Sequence, residues 1–241
     1  MEINIVHLYP DLLNTYGDLG NLWILRERAK ARGIDVKIHN VSVLNDINEC
    51  DLLFLGGGQD FEQSLVIEDL IKNKKQYIKD YIENEGVCLC ICGGYQLLGE
   101  YYMSAAGEKL PGISILPIRT EAGHKRLIGN IIVQGENEIY VGFENHAGRT
   151  YIGDLKPFGK VLSGHGNNGE DGLEGCIYKN TYCTYMHGPL LSKNPILADE
   201  LLIKALSKKY GNVTLNPLND YYENQAKKAV LMRALPELCE R

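Results

Sequence analysis

Gly86-Val-Cys-Leu-Cys-Ile-Cys-Gly-Gly-Tyr-Gln-Leu-Leu-Gly99 is the stretch that decides how this chain folds. Val87 to Cys92 is apolar throughout and has the length of a buried strand; it stops at a cysteine followed at once by Gly93, Gly94 and a helical pattern. A strand that enters a helix through a cysteine and two small residues has the outline of a nucleophile elbow. Such a turn holds the nucleophile at strained backbone angles, needs neighbours without bulk, and aims the free N–H groups of the following helix at the sulfur, which favours thiolate. Of seven cysteines only Cys92 stands at such a junction; Cys50, Cys88, Cys90, Cys176 and Cys183 read as core packing and Cys239 as an exposed tail thiol.

Upstream of the elbow, Ile3–Tyr9 reads as a strand, Leu19–Arg32 as a helix ending at Gly33, Val36–Val43 and Asp51–Leu55 as strands, and Leu65–Glu85 as a long amphipathic helix. Short apolar strands separated by helices are the pattern of a parallel sheet covered on both faces. Downstream the chain turns mainly β: Ile113–Ile118, Leu127–Gln134, Glu138–Phe143, Lys160–Ser163, Leu173–Tyr178 and Thr181–Met186 are strand candidates. Asn194–Tyr210 returns to helix, with Pro195 in its first turn and Gly211 as its stop. We therefore expect one domain over residues 1–210 and a helical extension over 211–241, packed on the domain or on a partner.

Composition narrows the function. The 241 residues are 44% hydrophobic and 23% charged, enough for a full core, which excludes a disordered or fibrous chain. A net charge of −6 without a basic tract argues against nucleic acid or an anionic membrane as partner. With no long apolar run and no leader pattern at the start, a cytoplasmic, non-membrane protein is expected. The cysteines lack both a disulfide framework and zinc-site spacing, so reduced thiols and no metal are expected.

Ile91-Cys-Gly-Gly-Tyr-Gln-Leu-Leu-Gly99 resembles the nucleophile motif of class I glutamine amidotransferases of the cobyric acid synthase-like branch. Three more segments match in order: Leu55-Gly-Gly-Gly-Gln-Asp60 resembles the glycine loop after the third strand, Gly142-Phe-Glu-Asn-His146 the substrate-side loop, and Tyr185-Met-His-Gly-Pro189 the segment with the catalytic histidine. The resemblance implies a flavodoxin-like, three-layer α/β/α fold around a mostly parallel sheet. It also implies Cys92 as nucleophile and His187 as its base and acid, backbone N–H groups of Gly58 and Gly93 as oxyanion donors, and Arg126 and Gln96 as glutamine-binding residues. Read from the residues alone, the Gly56-Gly57-Gly58 triplet is equally a tight turn or a phosphate loop, although no G-x-x-x-x-G-K-[ST] pattern follows.

Two departures stand out. Position −2 from the nucleophile, commonly glycine, is Cys90, and the glutamate that many class I enzymes carry two residues past the histidine is replaced by Pro189. No triad is legible: either Cys92 and His187 work as a dyad or an unassigned side chain orients the imidazole. His146 and His165 compete as bases, the latter in a glycine-rich loop that reads as mobile surface.

The small size, the Asp11-Leu-Leu-Asn-Thr-Tyr-Gly-Asp-Leu-Gly-Asn21 opening and Lys125-Arg-Leu-Ile-Gly-Asn130 look most like stand-alone glutaminase subunits. The resemblance implies a MurT-like, Mur ligase-type partner in a heterodimer, holding ATP and Mg and amidating the D-glutamate α-carboxyl of the lipid II stem peptide; this chain itself would hold no cofactor. The alternatives are an amidotransferase serving another acceptor, such as a cobyrinic acid-type synthetase, and a cysteine hydrolase or sensor on the same fold.

Overall fold

The computed structural model describes residues 1–238, so the expectation for Cys239 lies outside the described residues. In chain order the elements are β1 (Glu2–Leu8), α1 (Leu19–Lys30), β2 (Asp35–Val41), β3 (Leu52–Leu55), α2 (Asp60–Asp69), α3 (Lys75–Glu83), β4 (Val87–Ile91) and α4 (Gly93–Leu97). There follow β5 (Tyr101–Met103), β6 (Lys109–Pro111), β7 (Arg119–Gln134), β8 (Ile139–Tyr151), β9 (Gly159–Ser163), β10 (Leu173–Glu174), β11 (Cys176–Tyr178), β12 (Thr181–Thr184), α5 (Pro195–Tyr210) and α6 (Tyr221–Ala234).

A six-stranded sheet in the order β11-β12-β4-β3-β1-β2 forms the centre, every pair parallel except the β11 edge. Burial explains the order. Leu52–Leu55 and Val87–Ile91 are buried at every residue and take central places, whereas the alternating Asp35–Val41 takes an edge. Helices α1 and α5 pack on each other, with α1 against β2 and α5 against β4, while α4 lies on β3 and β4. The molecule is thus the mixed α/β amidotransferase-type architecture expected from the sequence.

The second half forms its own sheet, β10-β9-β7-β5-β6, with β8 along the other side of β7. That separate sheet is absent from the sequence reading, as are the short strands β5 and β6. The hairpin of β7 and β8 is longer than expected because its middle is polar: Thr120, Glu144, His146 and Thr150 are buried, and hydropathy alternation fails there. Ile113–Ile118 is not a strand. Amides of Ile113, Ser114, Ile115 and Leu116 donate instead to the carbonyls of Leu97, Leu98 and Gly99, capping the end of α4. Leu173–Tyr178 breaks in two at Gly175 (φ +56°), where the chain passes from the second sheet into the first. The long helix expected over 65–85 starts earlier, at Asp60, and carries a π turn at Leu70–Lys74 that shifts its periodicity. In that turn Lys74 is buried against Asp69, which also accepts the Tyr9 hydroxyl at 2.7 Å.

Arg28 and Arg32 of α1 grip Asp199 of α5, and Arg28 also binds Asp220 at 2.5 Å. These bonds tie the segment ahead of α6 to α1; α6 itself buries no residue. Among the described residues no helix is long and apolar enough to cross a membrane.

Candidate active site

Cys92 follows β4 directly and has φ 50° and ψ −105°, left-handed backbone that a non-glycine residue adopts at a cost of roughly 1–3 kcal/mol. The strain has identifiable supports. The Cys92 amide donates to Thr184 O of the neighbouring strand at 2.9 Å. Gly94 passes so close to β3 that a Cβ there would lie 2.6 Å from the Leu55 Cβ. Cys90, at the position usually held by glycine, is wholly buried in β4 and leaves the elbow intact. The helix after the elbow is short, five residues, so its dipole is a smaller influence on the sulfur than a full-length helix would exert.

His187 reaches Cys92 because β12 is the parallel neighbour of β4, pairing Thr184 with Ile91, and the histidine lies three residues beyond its end. Its backbone is clamped from the second sheet by Phe143 of β8, with amide-to-carbonyl bonds of 2.8 and 3.0 Å. The imidazole Nδ1 donates to Asp18 Oδ1 at 2.9 Å, and Asp18 Oδ2 accepts the Gly57 amide at 2.8 Å. Both side chains are fully buried. Burial alone would depress the imidazole, but the Asp18 carboxylate and the Cys92 thiol outweigh it and hold His187 up at about 10. Its Nε2 has no nitrogen or oxygen partner and is left for the sulfur.

Asp18 is the group that sequence reasoning missed. It lies 169 positions before His187, inside the Asp11–Asn21 opening, where the motif was noted without a role. Pro189 explains the arrangement: it packs onto the first turn of α1, where a Cβ on Gly20 would lie 2.3 Å from its ring. The residue that replaces the usual glutamate therefore brings α1, and Asp18 at its head, up to the imidazole. Gly57 sits at the centre of the three, since a Cβ there would meet His187 Cε1 at 3.0 Å, Asp18 Oδ2 at 3.1 Å and Cys92 Cβ at 3.4 Å.

Gly58 and Gly93 adjoin. A Cβ on Gly93 would lie 2.6 Å from the Gly58 amide nitrogen, and among the described residues neither amide is engaged by another loop or side chain. The two N–H groups thus flank the elbow, the geometry required of donors to a developing oxyanion.

Cys92 opens onto a cleft of about 340 Å³, at the small end of ligand sites. Arg126 lines it, carried by a bulge in β7: four residues separate Ala122 from Leu127, opposite a single residue of β8 between Gly148 and His146. Its Nε and Nη2 donate to Asn145 Oδ1 (2.9 Å) and O (2.8 Å), which fixes the guanidinium and leaves its Nη1 end free. Gln96 also lines the cleft, but its amide is held on both sides, accepting from Gln63 at 2.8 Å and donating to Tyr185 at 3.0 Å. Its carboxamide therefore forms a fixed part of the wall. Of the competing bases, His146 borders the cleft with its Nδ1 proton committed to Gly148 O at 2.8 Å, its ring stacked on Tyr185, and burial pushing it below its ordinary range. His165 is exposed outside the cleft, and its loop is anchored rather than loose, with the amides of His165 and Gly166 donating to Glu144. Among the described residues no group of three or more His, Cys, Asp or Glu is placed to hold a metal.

Comparison with known proteins agrees with this geometry. The family model described as the CobB/CobQ-like glutamine amidotransferase domain matches residues 4–195. The GatD subunit of the glutamine-hydrolyzing lipid II isoglutaminyl synthase of Streptococcus pneumoniae is 48% identical, over 87% of this chain and 83% of its own length. The same subunit from Staphylococcus aureus is 43% identical over 97% and 96%. A probable cobyric acid synthase from Methanosphaera stadtmanae is 30% identical over 64% of this chain, but only 33% of that longer protein is matched. In fold, the chain is similar to PurLQS from Thermotoga maritima (TM-score 0.58, 16% identity, 86% of this chain and 97% of that one). It is also similar to a glutamine amidotransferase from the same organism (TM-score 0.52, 14% identity, 95% and 93%). With a strained cysteine, a paired histidine and a family match spanning most of its length, the chain belongs to the CobB/CobQ-like glutamine amidotransferase family.

Proposed function

We propose that this chain is the glutaminase subunit of a lipid II isoglutaminyl synthase, releasing ammonia from L-glutamine for an ATP-dependent partner. The observation that carries the chemistry is Cys92, held at φ 50° beside an imidazole whose far nitrogen is fixed by Asp18. The acceptor is assigned from the 43% and 48% identity to GatD subunits over nearly their whole length.

Cys92 Sγ attacks the carboxamide carbon of glutamine, and the negative charge moves onto the amide oxygen between the Gly58 and Gly93 N–H groups. The imidazolium of His187 gives its Nε2 proton to the departing nitrogen, so ammonia leaves and a γ-glutamyl thioester remains. Neutral His187 then takes a proton from water, hydroxide adds to the thioester, and the thiol is released with glutamate. Throughout, Asp18 keeps Nδ1 protonated and the ring aligned. Arg126 holds the α-carboxylate through its free guanidinium end, and Gln96 completes the wall beside the amide.

Ammonia is mostly protonated at neutral pH, so an acceptor beside the cleft with a water-poor route between the two is required. We assign that acceptor to a MurT-like Mur ligase-type subunit, with ATP and Mg bound there, that converts the D-glutamate α-carboxyl of the lipid II stem peptide to the amide. The test is glutamate release from L-glutamine by the wild-type complex and by Cys92→Ala, together with amidation of lipid II when ATP is supplied. Release that survives Cys92→Ala would remove the cysteine from the reaction; release without lipid II amidation would send the ammonia to another acceptor.

A further inference from the structure

The ends of the cleft carry opposite charge. Among the described residues lining it, Arg126 is the cationic side chain and Asp60 and Glu62 are the acidic ones. One Glu62 carboxylate oxygen, Oε2, is shut away from solvent, whereas Asp60 is exposed to the cleft, so Asp60 is the carboxylate a ligand can meet. Asp60 opens α2, where an anion is favourably placed at the head of the helix. Its Oδ2 accepts the buried Tyr102 hydroxyl at 3.2 Å, which fixes the carboxylate and leaves Oδ1 without a side-chain partner among the described residues. Tyr102 lies between the two charges: burial and Asp60 push its phenol up while Arg126 pulls it down, and Cys92 is close enough to act on it as well. One hydroxyl thus marks a place where the anion, the cation and the nucleophile all converge.

We infer that the cleft accepts a carboxamide only as part of a free, zwitterionic L-α-amino acid, with Asp60 receiving the α-ammonium opposite Arg126; this rests on the glutaminase reading above. Three fixed points, the sulfur, the guanidinium and the carboxylate, define one enantiomer. They also exclude any carboxamide borne on a peptide, where the α-nitrogen is acylated and cannot meet Asp60 as an ammonium. The amide that the partner makes would be of that kind, so the same contact that recognises glutamine keeps the enzyme from hydrolysing its own product.

The experiment compares kcat/KM of the full chain, alone and with its co-purified partner, for L-glutamine, D-glutamine, N-acetyl-L-glutamine and glutaramate, the last lacking only the ammonium. Wild type is expected to prefer L-glutamine over each by roughly 100-fold or more, since losing a charge-assisted contact and leaving its carboxylate unpaired is expensive. In Asp60→Asn the preference over glutaramate should fall to about 10-fold or less, through a loss confined to L-glutamine. Wild type that turns over glutaramate or N-acetyl-L-glutamine within about threefold of glutamine would overturn the inference, as would Asp60→Asn with its preference intact. If Asp60→Asn is inactive on everything, the rate of Cys92 alkylation by iodoacetamide decides: a wild-type rate supports a lost substrate contact, and a depressed rate makes Asp60 structural and overturns it. Failure of wild type to hydrolyse any of the amides would instead defeat the underlying glutaminase assignment.

Discussion

Asp18→Asn is the most informative single change. Asp18 uses one oxygen for His187 Nδ1–H at 2.9 Å and the other for the Gly57 amide at 2.8 Å, and both partners are donors. Asparagine offers one acceptor and one NH₂, so it can satisfy the histidine or the glycine loop but not both; whichever is lost faces a donor in a dry site. Losing one buried, charge-assisted bond costs about 1.5–3 kcal/mol, or about 10- to 150-fold in rate. Presentation of the wrong tautomer can raise the loss to about 10⁴-fold, so kcat should fall by about 10² to 10⁴ with KM little changed. The pH dependence carries an independent signature. His187 is lifted from 6.5 to about 10 against the opposing effect of burial, with Asp18 the larger of the two supports. A group raised in this way stabilises the fold fully below its unfolded value of 6.5 and loses that contribution as pH climbs through about 10. Without Asp18 the loss should occur at lower pH, and the His187-linked limb of the iodoacetamide profile of Cys92 should move down with it. Glutamate release within threefold of wild type, or an alkylation profile that does not move, would refute the argument that this carboxylate sets the state of the imidazole.

Two further substitutions test other parts of the site. Gly93→Ala places a methyl 2.6 Å from the Gly58 nitrogen and oxygen, so the paired donors must separate and kcat should drop by about 10²- to 10³-fold while KM changes little, as measured by steady-state glutamate release. Arg126→Ala removes the fork at the cleft mouth and should raise KM for glutamine by about 10- to 100-fold with kcat largely preserved; an unchanged KM would take the α-carboxylate away from it.

The elbow was legible because its chemistry is local. A buried strand, a cysteine and two glycines are contiguous, and the backbone angles they adopt follow from neighbours a few residues away. The parallel sheet was legible for a related reason, since strands buried on both faces must be apolar along their whole length. The second sheet was not. Its strands β7 and β8 carry Thr120, Glu144, His146 and Thr150 inward because they build the wall of a polar site, and a hydropathy pattern has no means of separating such a strand from a loop. Ile113–Ile118 failed in the opposite sense: it is apolar and buried, but its amides cap α4 instead of pairing with a strand.

By itself, then, the amino-acid order determined the nucleophile, the glycines that must flank it, the histidine segment and the class of fold, because each is written in adjacent residues whose size and polarity are constrained on the spot. Only the tertiary structure decided that Asp18 orients the imidazole, that Pro189 packing on Gly20 delivers it, and that Asp60 and Arg126 meet across one cleft. Those contacts join positions separated by as many as 169 residues, and distances of that kind are set by how sheets and helices stack rather than by any stretch of chain.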